Sequence, residues 1–128
     1  MACVDIDESE ASAVRDFIKN LNSKRDSVVV VEGKKDEAAL AGLGFSGKIC
    51  QFHKFKGLAK FADWASRHKR IILLLDSDRK GAYLTRRIIS QLEHRVAIDL
   101  SYRRKLIAIT RGKIRHVEDL SVYKSSYQ

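Results

Sequence analysis

The sequence predicts an α/β domain built on a buried parallel sheet, and three observations carry that expectation. Five consecutive aliphatic residues, Ile71 to Leu75, break off abruptly at Asp76-Ser77-Asp78-Arg79-Lys80-Gly81. This is the pattern of a strand covered on both faces that ends in a polar, backbone-permissive turn. A run of four valines after Ser27 ends the same way, at Glu32-Gly33-Lys34-Lys35-Asp36. Between and around these runs the apolar residues recur at helical spacing. Strands buried on both faces belong to α/β sheets, where ligands gather outside the carboxyl ends of the strands.

The chain's 128 residues suffice for one core and are few for two. No apolar run approaches the length of a membrane span, so no membrane partner is expected. The acidic start is unlike a secretion signal, and the expected location is the cytoplasm. Cys3 and Cys50 make no disulfide framework, and Cys50, in a strand-like segment, reads as a small buried hydrophobe.

Charge is unevenly placed. Residues 79–115 hold eleven Lys/Arg against Glu93 and Asp99, which equals the whole net charge of +9. A basic half that follows a carboxylate cluster suits a polyanion such as nucleic acid, drawn in by the cations and presented to the acids. A merely solubilising face is the competing explanation.

In chain order, Asp7 and Glu10 form a capping box for a first helix whose apolar stripe is Ala11, Val14, Phe17, Ile18 and Leu21. The strand from Ser27 to Val31 follows. Asp36 is placed to cap a second helix through Ala38, Ala39 and Leu40. Gly42-Leu43-Gly44-Phe45-Ser46-Gly47-Lys48 matches a dinucleotide fingerprint and the opening of a P-loop, but a helix precedes it and the strand from Lys48 to Phe52 follows. Both motifs require the reverse order, so Gly42 or Gly44 is expected to end the helix in a left-handed cap. Cys50 and His53 have the spacing of half a zinc site and lack a second pair.

Phe52-His53-Lys54-Phe55-Lys56 interleaves aromatics with cations. The phenylalanines fit either base stacking or the core, with His53 and Lys54 the better substrate contacts. Leu58, Phe61, Ala62 and Ala65 stripe a third helix, with Trp64 beside them for packing. Leu84, Ile88, Ile89 and Leu92 mark a fourth helix with Arg86 and Arg87 outward. Arg79 and Lys80 open that helix at the end where its dipole disfavours cations, which suggests a task such as holding phosphate. Val96 to Leu100 is a fourth strand, and Ser101 is placed to cap a last helix, Tyr102 to Ile109, that opens with Arg103, Arg104 and Lys105. Glu118 and Asp119 either join the acidic strand ends or sit on a short solvated helix, and the Ser/Tyr tail carries no structural expectation.

Asp76 and Asp78, if both extended, point to one face and repel each other, which Mg²⁺ would relieve through oxygen ligands. Alternatively Asp78 only caps the fourth helix. Glu32 alone also fits a surface acid paired with Lys34 or Lys35.

Val-Val-Val-Glu-Gly-Lys-Lys-Asp on one strand end and Leu-Leu-Asp-Ser-Asp-Arg-Lys-Gly on another together resemble the Toprim domain of topoisomerases, bacterial-type primases, several nucleases and recombination proteins. The family pattern, a glutamate after a hydrophobic strand and then Asp-x-Asp with a following glycine, is met by Glu32, Asp76, Asp78 and Gly81. The resemblance implies a Rossmann-like, three-layer fold with a central four-stranded parallel sheet, its first and third strands adjacent. It implies Glu32 as general acid/base or metal ligand and Asp76 and Asp78 as ligands for Mg²⁺, with Mn²⁺ as substitute. On this view residues 1–26 pack an N-terminal helix on a single Toprim domain, 27–128, with a basic C-terminal helix and a polar tail.

Two functions follow from the acids and the basic half. One is Mg²⁺-dependent phosphodiester cleavage of structured RNA or DNA, with Lys34, His53, Lys54, Arg79, Lys80, Arg103 and Arg104 holding the backbone. The size is similar to that of the Toprim nucleases that mature ribosomal RNA. The other is a non-catalytic, metal-assisted binding module acting with a protein partner. A phosphoacceptor receiver domain fits the length, but it wants paired acids after the first strand, where Glu32 stands alone.

Overall fold

The computed structural model describes residues 7–127, with side chains through Lys124. Cys3 lies outside them. The elements run α1 (Glu8–Asn22), β1 (Val28–Val31), α2 (Lys34–Gly42), β2 (Ile49–Gln51), a 3-10 turn (Phe52–Lys54), α3 (Leu58–Ala65), β3 (Arg70–Leu73), α4 (Arg79–Leu92), β4 (Ala97–Asp99), α5 (Ser101–Ile109) and a 3-10 run (Val117–Tyr127). The four strands form one sheet in the order β2-β1-β3-β4, every pairing parallel. The expected α/β class and the central pairing of the two acid-tipped strands are both present.

Period-two alternation divides the core. Val29, Val31, Ile72 and Leu74 face a layer made of α1, α2, α5 and the C-terminal run, where Phe17, Leu40, Tyr102, Leu120 and Tyr123 are buried. Val30, Ile71, Leu73 and Leu75 face α3 and α4, against Phe61, Ala65, Ile88 and Leu92. A strand interior with both faces covered tolerates no polar side chain, which is why these two runs are continuously aliphatic. Phe52, Phe55 and Trp64 pack against the second cluster, so of their two expected roles the phenylalanines take the core. Cys50 is half-buried, and burial pushes its thiol up to about 11, as befits a packing residue.

Local chemistry fixes the ends. Asp7 caps α1 by accepting the Ser9 N–H, but Glu10 does not complete a capping box: it is buried and paired with Lys113 at 2.9 Å. Gly44, at φ 98°, ends α2, with its N–H on the Ala41 carbonyl and the Phe45 N–H on the Leu40 carbonyl. That left-handed cap explains the glycine at position 44. Ser101 does not cap α5 with its own side chain; Asp99 Oδ1 accepts both the Ser101 N–H and hydroxyl, at 2.8 and 2.6 Å.

The largest departure from expectation is the C-terminal run. Val117, Leu120 and Tyr123 are buried in the first core cluster, because α1, α2 and α5 leave an apolar trough that these residues fill. The tail is therefore part of the fold, and Glu118 and Asp119 are exposed on its outer side rather than on a detached helix. No described helix is long and apolar enough to cross a membrane.

Candidate metal centre

The site forms where β1 and β3 end side by side. Their register pairs Val30 with Leu73, and continuing it brings Glu32 beside the turn that starts at Asp76. Leu74 still donates to the Val30 carbonyl at 2.9 Å, and the Asp76 N–H then donates to Glu32 Oε2 at 3.0 Å. One carboxylate thus holds the backbone that presents the next.

Asp78 performs two tasks at once. Its Oδ1 caps α4 by accepting the Gly81 N–H at 2.7 Å, and its Oδ2 lies 3.0 Å from His116 Nε2. Gly81 is required here because a Cβ would stand 1.9 Å from the Asp76 carbonyl oxygen. The Arg103 guanidinium donates to that same carbonyl at 3.2 Å. Arg103 is half-buried, and this bond holds the Asp76 turn.

Two residues outside the expected set complete the site. Asp36, buried at the start of α2, accepts the Gly33 N–H at 3.0 Å and the Glu118 N–H at 3.1 Å. The C-terminal run is tied down further by Val117, whose N–H donates to Asp76 Oδ1 at 2.8 Å, and by Arg115, whose carbonyl accepts the Ser77 N–H at 2.7 Å. His116 comes in between. Asp76, Asp78 and His116 each offer a ligand atom, and these lie within 4.8 Å of one another. Sequence reading finds neither contact, since they join residues 38 to 82 positions apart with no local signature.

The electrostatics suit a cation. Burial, with the Glu32 charge beside it, pushes Asp76 up to about 6, although the Val117 N–H pulls the other way. Burial also raises Asp36, and the Asp76 charge adds to it. Asp78, half-buried, is lowered by the Gly81 N–H, with His116 helping. Burial lowers His116, but the Asp78 hydrogen bond and the charges of Asp76, Asp78 and Asp119 outweigh it and raise the imidazole. Carboxylates crowded together at one sheet edge, one of them raised by its burial and its neighbour's charge, are a donor set of hard oxygens that a divalent ion fits.

Other expected contacts line the same edge. The His53 N–H donates to the Glu32 carbonyl at 2.9 Å, which sets His53 and Lys54, both exposed, beside Glu32. Lys34 opens α2, Arg79 and Lys80 open α4, and Arg104 lies in the first turn of α5, all exposed. From Arg79 a basic face runs along α4 through Lys80, Arg86 and Arg87, and the helix contains no acid. Tyr83 is exposed on that face, with the Arg87 guanidinium 5.7 Å above its ring.

The Toprim domain family matches residues 27–109. A UPF0292 protein of Archaeoglobus fulgidus is 36% identical over 109 residues, spanning 83% of this chain and 85% of the relative. Another, from Thermococcus gammatolerans, is 36% identical over 96 residues, or 74% of this chain and 71% of the relative. A solved structure, a putative protein from Aquifex aeolicus, shares the fold with a TM-score of 0.67 at 24% identity, covering 81% of this chain and 94% of that one. With its acids on adjoining strand ends and its parallel sheet in this order, the chain belongs to the Toprim family, alongside the UPF0292 proteins.

Proposed function

We propose that this protein is a Mg²⁺-dependent phosphodiesterase of nucleic acid, active also with Mn²⁺, and that it works in the cytoplasm. The observation that carries the reading is the convergence of Glu32, Asp76 and Asp78 at one sheet edge, with raised proton affinity at Asp76, beside an acid-free basic helix. Toprim membership supports a metal-dependent role connected with nucleic acid.

Asp76 and Asp78 would hold the ion, which when bound stabilises charge developing on a phosphate. Glu32 would orient or deprotonate water, or add an oxygen to the ion, while its hydrogen bond to Asp76 keeps it in place. Lys34, His53, Lys54, Arg79, Lys80 and Arg104 would grip the sugar-phosphate backbone. Tyr83, Arg86 and Arg87 extend that track along α4, the aromatic ring offering a stacking surface for an unpaired base. So small a surface has little room for base readout, which favours recognition of nucleic-acid shape or help from a protein partner. Structured RNA and DNA are both candidate substrates.

One observation favours a binding module instead. Val117 N–H and His116 already engage one oxygen each of Asp76 and Asp78, as suits acids that anchor a metal for phosphate binding without cutting. Cleavage of end-labelled structured RNA, single-stranded DNA and duplex DNA in Mg²⁺, Mn²⁺ or EDTA decides between the two. Cutting that needs metal and is lost in Glu32→Gln and Asp76→Asn, with binding retained, supports the enzyme. Equal binding by all three proteins with no cutting of any substrate supports the module.

A further inference from the structure

We infer that His116 is a nitrogen ligand to the divalent ion of this site and that Asp119 orients its ring, so that the site favours first-row transition ions over Mg²⁺. The inference rests on the metal-site reading above and adds to it a ligand from outside the Toprim-matched segment, residues 27–109.

The geometry is that of a preset donor. His116 Nε2 stands 3.0 Å from Asp78 Oδ2. Adjacent ligands of an octahedral ion with bonds of about 2.1 Å lie about 3 Å apart, and opposite ones about 4.2 Å. Ligand atoms of Asp76, Asp78 and His116 within 4.8 Å of one another therefore need only a small contraction to share one ion.

The backbone on both sides of the histidine is fixed to the acidic turn itself. Arg115 accepts from the Ser77 N–H at 2.7 Å and Val117 donates to Asp76 Oδ1 at 2.8 Å. The imidazole can turn, but its Cα cannot drift from Asp76 and Asp78.

The second ring nitrogen has a carboxylate at ion-pair distance. Nδ1 lies 3.5 Å from Asp119 Oδ2, three residues on. A carboxylate behind Nδ1 selects the tautomer that leaves Nε2 free for a metal and raises its basicity. Imidazole nitrogen in an otherwise oxygen set moves preference away from Mg²⁺ and toward ions later in the first row.

The test uses the full chain with Mg²⁺, Mn²⁺ and Co²⁺ as probes. Calorimetric titration should show Co²⁺ and Mn²⁺ binding at least about tenfold tighter than Mg²⁺. His116→Ala should lose about tenfold or more of the Co²⁺ and Mn²⁺ affinity while changing Mg²⁺ less than about threefold, with Asp119→Asn following in the same direction but less far. Bound Mn²⁺ in the unmutated protein should show ¹⁴N modulation in its electron spin echo, a readout that needs no variant to fold. Mn²⁺ bound without ¹⁴N modulation, yet released by Asp76→Asn, overturns the role of His116 and leaves the acidic site standing. Failure of the unmutated chain to bind any of the three ions at millimolar concentration overturns the inference and the metal-dependent function together.

Discussion

The Asp76 N–H donates to Glu32 Oε2, so the glutamate at one strand end is a structural clamp on the acidic turn of its neighbour. Its charge and its hydrogen-bonding capacity are separable. Glu32→Gln keeps an acceptor for Asp76 and should melt within about 0.5 kcal/mol of the parent, while Glu32→Ala strips it and should cost about 1–2 kcal/mol. Thermal or urea unfolding of the two variants checks the contrast, and both should lose cleavage alike.

Gly81 marks the closest approach of α4 to the acidic turn. A Cβ there would meet the Asp76 carbonyl at 1.9 Å, and both partners are backbone, so neither can rotate away. Gly81→Ala should destabilise by about 3 kcal/mol, well beyond the helix-propensity gain of alanine, and weaken metal binding in proportion as the turn shifts. Equal stability of variant and parent in denaturant titrations would refute this account of the glycine.

Acid should stabilise the metal-free protein. Asp76 is raised by burial and by Glu32 to about 6 from 3.8, so the folded state takes up a proton that the unfolded chain declines throughout that window. Stability therefore grows as pH falls from about 7 to about 4, by about 1–2 kcal/mol from Asp76 once its half-open position is allowed for. Asp36, raised by burial, and His116, raised by Asp78 against its own burial, act in the same direction. Asp78 is lowered, and its contribution is lost only below the window, as pH falls through its depressed value. Melting curves at pH 7 and pH 5 should differ in this sense without metal, and a divalent ion should raise stability more at pH 7 than at pH 5.

The α4 face predicts a salt signature. If phosphates lie along Arg79, Lys80, Arg86 and Arg87, each cation replaced by alanine should lower the slope of log affinity against log salt by roughly 0.7–0.9. Fluorescence anisotropy of labelled RNA and DNA across a salt series measures it. An unchanged slope in Arg86→Ala/Arg87→Ala would move the binding track elsewhere.

Glu118 contributes a backbone amide and not a carboxylate. Its side chain is exposed, so Glu118→Ala should change stability by less than about 0.5 kcal/mol. Asp36→Ala leaves the Gly33 and Glu118 amides without their acceptor and should cost about 1–3 kcal/mol, read from denaturant midpoints.

What the sequence made legible was whatever is written in consecutive residues. The runs ending at Val31 and Leu75 announce strands covered on both sides, and the abrupt change at Glu32 and Asp76 announces the sheet edge where the site forms. Asp78 caps α4 with one oxygen, as one of its two readings expected, while its other oxygen faces His116. The Arg103 bond to the Asp76 carbonyl was not legible, because charge at a helix start looks the same whether or not it meets a carbonyl from another loop. The tail was illegible for a related reason. Val117, Leu120 and Tyr123 repeat at three-residue spacing, but polar residues stand between them, and only the trough between α1, α2 and α5 gives those side chains somewhere to go.

The two faces of the sheet are assembled from unlike stretches of chain. On the α3 and α4 side the core draws chiefly on helices and strands within residues 58–96. On the other side Glu10 meets Lys113 and Asn20 accepts from the Tyr102 hydroxyl, contacts spanning 103 and 82 positions. Contacts of such separation require large loops to close and tend to form late. A chain caught midway through folding is thus expected to have its sheet and one helical layer before His116 and Val117 reach the acids. Pulse-labelled hydrogen exchange should find the amides of Val117 and Glu118 among the last protected, which makes competence for metal a report that folding is complete.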